Sequence, residues 1–505
     1  MRLSRCSAGG RRCPANRAGP GRIRGLPRPG PSARAREAPA ARLRAPPAGR
    51  GGPLRAAAEA EAAAAPAGGE GADPASTAAA EGASTAAGGR PRVCIVGGGF
   101  AGLYTALRLE SLVWPDALRP EVTLVDRNAN FVFKPLLYEL VNGEAEQWEI
   151  APAFADLLEG SQVKFVQGQV AGIEDGDRKV LLEGGEEIGY DWLVLSLGTE
   201  AVVSQAEGAR EHAVPFSTLE DALEVTRRVR ALEGSPGASV AVVGGGYSGV
   251  ELATTVAECL KGDGRVSIIS SAEDLMVGAP DSHRDAAYKV LSSLGVDTLL
   301  GTRVNRIAED AADAAAGSYN PGGGWERAPS YTLRLASEDL EVEQKANLVL
   351  WTAGQTPAAT SASGSPLYSF CPTTERGYVQ IEKTLQVAGL DHVFSLGDLS
   401  AIASSELPST AQVAFQQADY CAWNIWSSLN RQPLLPFKYQ HLGDMMTLGK
   451  VDAAVTFPFD LGTLDGAAGT LLRRAAYVYR QPTLEHGLKV AFSWANRWSS
   501  SVLRQ

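Results

Sequence analysis

Cysteine is scarce in this chain of 505 residues, which has only six, two of them within the first thirteen positions. None of them forms a CxxC pair or a spacing typical of a metal site, so the sequence predicts neither a disulfide framework nor a bound metal. This scattered usage is typical of proteins in a reducing compartment. Apolar runs of about 18 residues are also missing, and the sequence therefore predicts no transmembrane helix.

The positive charge of the chain is concentrated at its start. The first 55 residues contain fourteen arginines, no lysine and one acid, whereas the whole chain has a formal net charge of −10. An acidic body gives no reason to expect a nucleic-acid partner. The Arg-, Ala- and Ser-bearing leader resembles an organelle transit peptide, although a GC-rich genome would also enrich such residues in an unstructured tail. We predict a transit peptide over residues 1–55 and a low-complexity linker that does not fold over residues 56–90.

A glycine-rich turn between a short apolar strand and a helix, in residues 92–109, is the pattern around which the rest of the body is organised. Gly97 makes the tight turn, Gly99 lets backbone amides approach a pyrophosphate, and Gly102 lets the helix pack closely against the strand. A diphosphate would then lie at the helix N-terminus, where unpaired N–H groups and the helix dipole favour negative charge.

Two further strand ends complete this first unit. The apolar run over residues 122–125 ends in Asp126, whose carboxylate is placed to accept hydrogen bonds from a ribose. A strand predicted over residues 189–197 closes on Gly198, which would bring backbone beside the first nucleotide. Strand, turn, helix and acid together predict a Rossmann-like dinucleotide-binding domain.

The same pattern occurs a second time in the middle of the chain. A strand precedes Gly244, Gly246 and Gly249, a helix follows, and an apolar run over residues 266–269 supplies the partner strand. This domain would close on Gly354, at the end of another apolar strand. Two complete fingerprints predict two separate dinucleotide sites, and a duplicated fold without ligand is the weaker alternative.

The second unit differs from the first at the position of the ribose-binding acid. Alignment of the two partner strands puts Ser270 where the first unit has Asp126. A carboxylate at this position repels a 2′-phosphate, and its absence removes that penalty. The sequence therefore permits NADPH as well as NADH, with some preference for NADPH, although no arginine directly follows to bind the phosphate.

A later segment is expected to return to the first domain. Gly397 and Asp398 follow a short apolar strand, where the carboxylate can lie beside the ribityl chain of a flavin. A helix is predicted over residues 407–418, with Pro408 and Ser409 at its start. Its N-terminal amides would face the flavin pyrimidine ring and stabilise negative charge on the reduced flavin.

These patterns predict an α/β fold with two Rossmann-like dinucleotide-binding domains, as in two-dinucleotide-binding flavoproteins, plus a C-terminal membrane-associating segment. The predicted boundaries are 91–205 and 368–430 for the two parts of the first domain, 206–367 for the second domain, and 431–505 for a C-terminal region of membrane contact or dimerisation.

With these motifs in view, residues 92–500 resemble the type II NAD(P)H:quinone dehydrogenases, which are peripheral flavoproteins that do not pump protons. The shared motifs are the paired glycine fingerprints and residues 249–253, 351–354 and 411–416. Residues 131–140, 148–152 and 443–449 make the chain most similar to the plant and algal C1-type branch of that family.

The resemblance implies FAD in the first site and a nicotinamide nucleotide, NADPH or NADH, in the second. It places Glu251 near the flavin–nicotinamide stack and puts Gln412 and Gln416 at the quinone pocket. As a bland alternative, the two glutamines would only cap and solvate a helix. Lys134, Ala411 and Gln412 are also assigned to cofactor binding. A plastid location is implied, at plastoglobules or thylakoids and sometimes in mitochondria, with a plastid quinone as acceptor and a homodimer as the usual assembly.

The C-terminal stretch from residue 471 onward interleaves arginines and lysine with aromatic and aliphatic residues on an otherwise acidic chain. Such a composition is typical of segments that lie in a membrane interface. An ordinary amphipathic packing helix is the alternative. We predict contact with a membrane or lipid-droplet surface.

Three rival functions have different requirements. A disulfide reductase shares the two-dinucleotide layout but needs a redox cysteine pair near the flavin, and residues 95–258 contain no cysteine. A reductase that passes electrons to a protein acceptor fits the glutamine-containing helix and the basic tail less well. A lipid-droplet coat protein with a redox-sensing flavin would not need both glycine motifs, and measured turnover would distinguish it.

Overall fold

The computed structural model of the protein describes residues 89–203, 205–310, 328–337, 340–360, 366–403, 407–458 and 461–502, together with Gly364 and Ser405. The predicted transit peptide and nearly all of the predicted linker lie outside the described residues.

The regular elements alternate between strands and helices through most of the described chain. The strands are β1 Arg92–Val96, β2 Glu121–Asp126, β3 Lys164–Gln167, β4 Val170–Glu174, β5 Lys179–Leu182, β6 Glu187–Gly189, β7 Trp192–Leu195, β8 Thr199–Ala201, β9 Ala213–Pro215, β10 Ser239–Val243, β11 Arg265–Ile269, β12 Asp297–Leu299, β13 Arg303–Glu309, β14 Tyr331–Ala336, β15 Glu341–Ala346, β16 Leu348–Trp351, β17 Gln355–Pro357, β18 Val379–Ile381, β19 Val393–Ser395, β20 Ser400–Ile402, β21 Asp444–Leu448, β22 Asp452–Thr456 and β23 Thr463–Asp465. The α-helices are α1 Phe100–Ser111, α2 Leu137–Val141, α3 Gln147–Ile150, α4 Phe154–Leu157, α5 Ala209–His212, α6 Leu219–Leu232, α7 Tyr247–Leu260, α8 Asp281–Ser293, α9 Ala411–Leu429, α10 Gly466–Tyr479 and α11 Leu484–Val502. Short 3-10 turns cover Asp116–Leu118, Lys134–Leu136 and Gly397–Leu399.

A five-stranded parallel sheet forms the first layer of the fold, in the order β19-β7-β1-β2-β3. Its central strand β1 is almost wholly buried, with only Arg92 exposed, as expected for a parallel strand covered on both faces. Four strands come from residues 92–195 and the fifth from residues 393–395. The chain therefore leaves this sheet and returns to it about 200 residues later.

A second five-stranded parallel sheet has the order β12-β11-β10-β16-β9 and uses residues 213–351. Its central strand β10 pairs with β11 and β16 as β1 pairs with β2 and β7. In both sheets the central strand leads through a glycine turn into a helix, α1 or α7. The duplicated layout predicted from the two fingerprints is thus present.

Three small antiparallel sheets flank the parallel ones, in the orders β4-β5-β6, β13-β14-β15 and β21-β22-β23. The sheet of β21, β22 and β23 continues into the helical hairpin of α10 and α11. Packing of α7 and α10 against this sheet places the C-terminal region beside the second glycine turn.

Two predicted elements differ from the structure. The helix predicted to begin near Pro408 begins at Ala411, because the side chain of Thr410 accepts a hydrogen bond from the backbone N–H of Val413 and so acts as the N-cap. The strand predicted over residues 189–197 is two strands, β6 and β7, since the chain turns at Tyr190 and Asp191 between them.

Candidate active site

A cavity of about 920 Å³ opens at the carboxyl ends of the strands in the first sheet and extends toward the start of α7. Such crevices are where open α/β sheets bind nucleotides. The predicted site residues that line it are Gly97, Gly99, Asp126, Lys134, Gly198, Glu251, Gly397, Asp398 and Ala411. The other predicted residues do not line it; they are Gly102, Gly244, Gly246, Gly249, Ser270, Gly354, Gln412 and Gln416.

The first glycine turn has the geometry that its sequence predicts. Gly97 has a φ of +100°, in the region that favours glycine, and its N–H donates to the carbonyl of Val125 at 2.8 Å. A side chain on Gly102 would overlap the carbonyl oxygen of Gly97, whereas Gly99 faces open space. The turn therefore holds α1 tightly against β1 and leaves room at the helix N-terminus for a ligand.

Asp126 supports the glycine turn as well as lining the cavity. One carboxylate oxygen accepts from the N–H of Gly98 at 2.6 Å and the other accepts from the N–H of Asn128 at 2.8 Å. Burial raises the pKa of Asp126, against the effect of these two N–H donors. The carboxylate is thus fixed in place at the end of β2, beside the first glycine turn.

The second glycine turn repeats the first. Gly244 has a φ of +122° and donates to the carbonyl of Ile269 at 2.9 Å, and a side chain on Gly249 would overlap the carbonyl oxygen of Gly244. Gly246 faces open space, as Gly99 does. The second unit is therefore built to place the N-terminus of α7 against a ligand in the same manner.

Ser270 takes the place of Asp126 in the second unit, as the alignment of the two strands predicts. Its hydroxyl accepts from the N–H of Ala272 at 3.2 Å, and the side chain is buried against Gly245. In the first unit Asp126 lies against Gly98, the equivalent glycine. A neutral hydroxyl thus stands where the first unit has a carboxylate.

The strand ends that close the two units also correspond. Gly198 and Gly354 both have positive φ, at +71° and +78°. Ser196 donates from its hydroxyl to the carbonyl of Gly97 at 2.8 Å, and Thr352 donates to the carbonyl of Val243 at 3.0 Å. The hydroxyls tie the closing strand to the glycine turn in each unit, a role that sequence reasoning did not assign.

Gln417 holds the turn that carries Asp398. Its side-chain oxygen accepts from the N–H of Gly397 at 2.7 Å, and the residue is 2 % exposed. Burial raises the pKa of Asp398, and the nearby charge of Lys134 opposes this. Gln417 was not predicted, although it directly follows residues 411–416, the glutamine-containing segment that carries the resemblance.

Gln412 and Gln416 are turned toward a C-terminal segment rather than into the cavity. The oxygen of Gln412 accepts from the hydroxyl of Tyr439 at 2.6 Å and from the N–H of Leu442 at 2.8 Å. Both ends of the Gln416 amide bond to the backbone of Gln440. The two side chains therefore fasten residues 439–443 along the first turns of α9.

Glu251 lies in the second turn of α7 and opens onto the cavity. Its carboxylate accepts from the N–H of Thr447 at 2.9 Å and bonds to the hydroxyl of Tyr138. Burial raises the pKa of Glu251 to about 7, while the Thr447 N–H, the Tyr138 hydroxyl and the charge of Arg473 lower it. A carboxyl with this pKa can gain or lose a proton at neutral pH.

The arginines of the helical hairpin formed by α10 and α11 face the body of the protein. Arg473 pairs with Glu139, Arg474 with Glu144 at 3.1 Å, and Arg497 with Glu149. The guanidinium of Arg480 lies 4.2 Å from the ring centre of Phe415. Arg473, Arg474 and Arg497 thus pair with acids between residues 139 and 149 of the body, an arrangement that the composition of the C-terminal stretch does not reveal.

The outward face of the hairpin combines exposed apolar residues with the exposed ion pair of Lys489 and Glu485 on α11. The exposed large apolar residues on it are Leu471, Tyr479, Leu484, Leu488 and Phe492. Those on α11 repeat every fourth residue and so form one stripe. In the described part of the chain, no helix has the length and apolarity needed to span a membrane.

Comparison with known proteins places the chain among its relatives. Residues 91–418 match the family model described as pyridine nucleotide-disulphide oxidoreductase. The chain is 45 % identical over 430 residues to the alternative NAD(P)H-ubiquinone oxidoreductase C1, chloroplastic/mitochondrial, of Arabidopsis thaliana, which covers 80 % of each chain. It is 40 % identical over 419 residues to the demethylphylloquinone reductase NdbB of Synechocystis sp., covering 81 % of this chain and 96 % of that one.

The fold is also similar to that of a solved structure. The structure of NDH2 from Plasmodium falciparum in complex with NADH matches 80 % of this chain and 97 % of that chain, with a TM-score of 0.66 and 15 % sequence identity. At this identity the likeness concerns the fold alone.

Proposed function

This chain belongs to the pyridine nucleotide-disulphide oxidoreductase family and, within it, to the type II NAD(P)H:quinone oxidoreductases, and from that premise we propose that it reduces a membrane quinone of the plastid without pumping protons. One turnover consumes NAD(P)H, one proton and one quinone and yields NAD(P)⁺ and quinol. The observation that supports this most directly is the single cavity that extends from the first glycine turn to Glu251 of α7, the helix that follows the second glycine turn.

The first site fits FAD. Gly97 and Gly99 leave the N-terminus of α1 open to a pyrophosphate, and Asp126 presents an oxygen to a ribose. At the other end, Asp398 and the first residue of α9, Ala411, line the cavity together. When bound, FAD takes hydride from NAD(P)H and passes two electrons on.

The residues of the chain have separate tasks around this cofactor. The N-terminus of α9 stabilises negative charge at its end of the cavity, since its first N–H groups have no partner within the helix. Lys134 adds a positive charge beside Asp398. Glu251 holds or releases a proton at the cavity wall, and its pKa of about 7 suits the proton that quinone reduction takes up.

NADPH is the proposed preferred reductant. The hydroxyl of Ser270 does not repel a 2′-phosphate, in contrast to the carboxylate that Asp126 provides in the first unit. NADH remains a substrate because the hydroxyl repels neither nucleotide.

We keep Gln412 and Gln416 as residues of the quinone pocket, with an indirect action. Both amides hold the backbone of residues 439–443 next to α9, and Asp444 and Met445, which follow directly, line the cavity. The two glutamines thereby shape the cavity edge on the side of the C-terminal hairpin.

A lipid surface is the proposed location of the enzyme. The stripe of Leu484, Leu488 and Phe492 on α11 and the exposed Leu471 and Tyr479 on α10 face outward, and such a face can bury itself in a bilayer interface. A membrane or plastoglobule surface would bring a water-insoluble quinone to the cavity. We also propose a homodimer, and we propose the boundaries 91–205, 206–367, 368–430 and 431–505 for the regions of the chain.

A plastid quinone is the proposed acceptor. The name of the Arabidopsis thaliana relative assigns that protein to chloroplasts and mitochondria, and the name of the Synechocystis sp. relative makes that protein a demethylphylloquinone reductase. We infer plastoquinone or a phylloquinone precursor for this chain and a chloroplast location, with mitochondria as a second one.

The test is a turnover assay on the detergent-purified protein. A flavin spectrum with quinone-dependent oxidation of NADPH would support the proposal, and the ratio of NADPH to NADH rates would test Ser270. Bleaching of the flavin by NADPH without quinone turnover would favour a protein acceptor. A protein without flavin would exclude the enzyme and leave the coat protein.

A further inference from the structure

A buried ion pair lies directly behind the wall of the cavity. Arg473 of α10 donates from a terminal guanidinium nitrogen to a carboxylate oxygen of Glu139 on α2. The two side chains are only 2 % and 5 % exposed. Removing two charges from water costs so much that a buried pair is weak evidence for stability. Its position relative to the active site offers a better reason for it.

Each partner lies next to a residue that lines the cavity, Arg473 by a side-chain contact and Glu139 as a neighbour in the sequence. Arg473 precedes Tyr477 by one helical turn, and its guanidinium lies 5.1 Å from the centre of the Tyr477 ring. Glu139 directly follows Tyr138, whose hydroxyl bonds to Glu251. Tyr138, Tyr477 and Glu251 all line the cavity. The pair is thus separated from Glu251 and the cavity by the side chains of Tyr138 and Tyr477. Its negative charge comes from α2 and its positive charge from α10.

We propose that Glu139 and Arg473 are positioning residues that set the charge state of Glu251 from behind the cavity, in opposite directions. This rests on the proposed function, because quinone reduction takes up one proton in each turnover. The guanidinium favours the carboxylate form of Glu251, and the Glu139 carboxylate favours its protonated form. In the intact pair the two effects largely oppose each other.

The directions of the electrostatic effects agree with this geometry. The charge of Arg473 lowers the pKa of Glu251, and the charge of Glu139 raises it. The titratable and charged groups that act on Glu251 or on which it acts are Tyr138, Glu139, Tyr247, Arg473 and Tyr477. Arg473 is the cation in this group. It comes from α10, the helix that also exposes Leu471 and Tyr479, so the proposed lipid-facing hairpin supplies the charge that acts on the active site.

The test uses the full chain with bound FAD and compares Glu139→Gln with the double variant Glu139→Gln/Arg473→Met. In the single variant Arg473 acts on Glu251 without its counter-ion, so the titration midpoint of Glu251 falls by about one pH unit. In the double variant both charges are gone and the midpoint returns close to that of the wild type. Loss of a structural bridge alone would perturb the double variant at least as much as the single one.

Two readouts report the midpoint. One is the infrared band of the protonated carboxyl that Glu251→Gln removes, followed against pH in the absence of quinone. The other is the pH profile of quinone-dependent NADPH oxidation. Glu144→Gln is the matched control, because Glu144 pairs with Arg474 at 3.1 Å between the same two segments while both side chains are partly exposed. It should leave the midpoint unchanged.

An unmoved midpoint in Glu139→Gln, or equal midpoints in the single and double variants, would overturn the proposal. If Glu139→Gln does not retain FAD, Arg473→Met alone decides: its midpoint should rise, and a midpoint that falls or does not move contradicts the proposal. Because the infrared titration needs no quinone, its outcome is separate from that of the turnover assay. If the wild type lacks quinone turnover while the variants show the predicted shifts of the midpoint, the proposed function is rejected and the effect of the charge pair on Glu251 stands.

Discussion

The carboxylate of Glu251 accepts a hydrogen bond of 2.9 Å from the backbone N–H of Thr447, 196 residues further along the chain. The bond joins α7, which begins at the second glycine turn, to β21 of the C-terminal sheet. It holds the carboxyl at the cavity wall while burial raises its pKa to about 7. The pKa of Glu251 therefore differs between the folded and the unfolded protein, and this difference makes the stability depend on pH.

Glu251→Gln should stabilise the protein at high pH and leave it little changed at low pH. The pKa of Glu251 rises from 4.5 to about 7 on folding, so the native state keeps this proton in a pH range where the unfolded state has lost it. The free energy of unfolding therefore falls as the pH rises from about 4.5 to 7, by roughly 1–3 kcal/mol. Thermal unfolding at pH 5 and pH 8 checks this, and an equal difference in Tm at both pH values would contradict it.

The third glycine of each fingerprint can be tested separately in its own domain. Gly102→Ala should abolish FAD binding, because the added methyl group would overlap the carbonyl oxygen of Gly97. Gly249→Ala should leave the flavin spectrum and weaken binding of the nicotinamide nucleotide at least tenfold, by the same overlap with Gly244. Visible spectra and nucleotide titrations measure both. Gly99→Ala faces open space and is the control that should fold normally.

Ser270→Asp should turn the enzyme toward NADH. A carboxylate beside Gly245 would repel the 2′-phosphate, and the KM for NADPH should rise about tenfold, equivalent to about 1.4 kcal/mol. The KM for NADH provides the internal control and should stay within twofold. Equal changes in the KM values for both nucleotides would show that the substitution disturbs the fold and does not alter the discrimination between NADPH and NADH.

Gln417→Leu should weaken FAD retention. The substitution leaves the N–H of Gly397 without its acceptor in a half-buried turn, at a cost of about 1 kcal/mol. Flavin release on dilution or mild heating measures the effect. Gln416→Leu is the matched control, since its partner is the exposed backbone of Gln440, and its flavin should be retained as in the wild type.

Leu488→Asp combined with Phe492→Asp should reduce binding to vesicles by about 100-fold, since each exposed apolar side chain contributes roughly 1.5–3 kcal/mol when buried. The two residues are 61 % and 69 % exposed on α11. Vesicle flotation measures binding, and the rate with a short-chain quinone should be unchanged. Val113→Asp replaces a residue that is 88 % exposed away from the hairpin; a similar loss there would reject the hairpin as the lipid-facing surface.

Short-range features could be read from the sequence with good accuracy. The glycine turns follow from the positive φ that Gly97 and Gly244 need, and the positions of Asp126 and Ser270 follow from strands that pair with the turn strand. The predicted start of α9 is too early because both Ser409 and Thr410 have side chains that can cap a helix N-terminus. Only the hydrogen bond from the Val413 N–H to the side chain of Thr410 selects Thr410.

The sequence by itself therefore determined two nucleotide-binding units and the charge difference between them, because these depend on backbone conformation and on residues within about 30 positions of each turn. Tertiary structure alone decided which side chains complete the site. Thr447 meets Glu251, and Arg473 meets Glu139 334 residues away, since only packing of the C-terminal region against α2 and α7 brings them together. The same packing turned the arginines of the hairpin inward: a sequence shows how many charges a helix carries, but the acids that meet them in the folded protein determine which way they face.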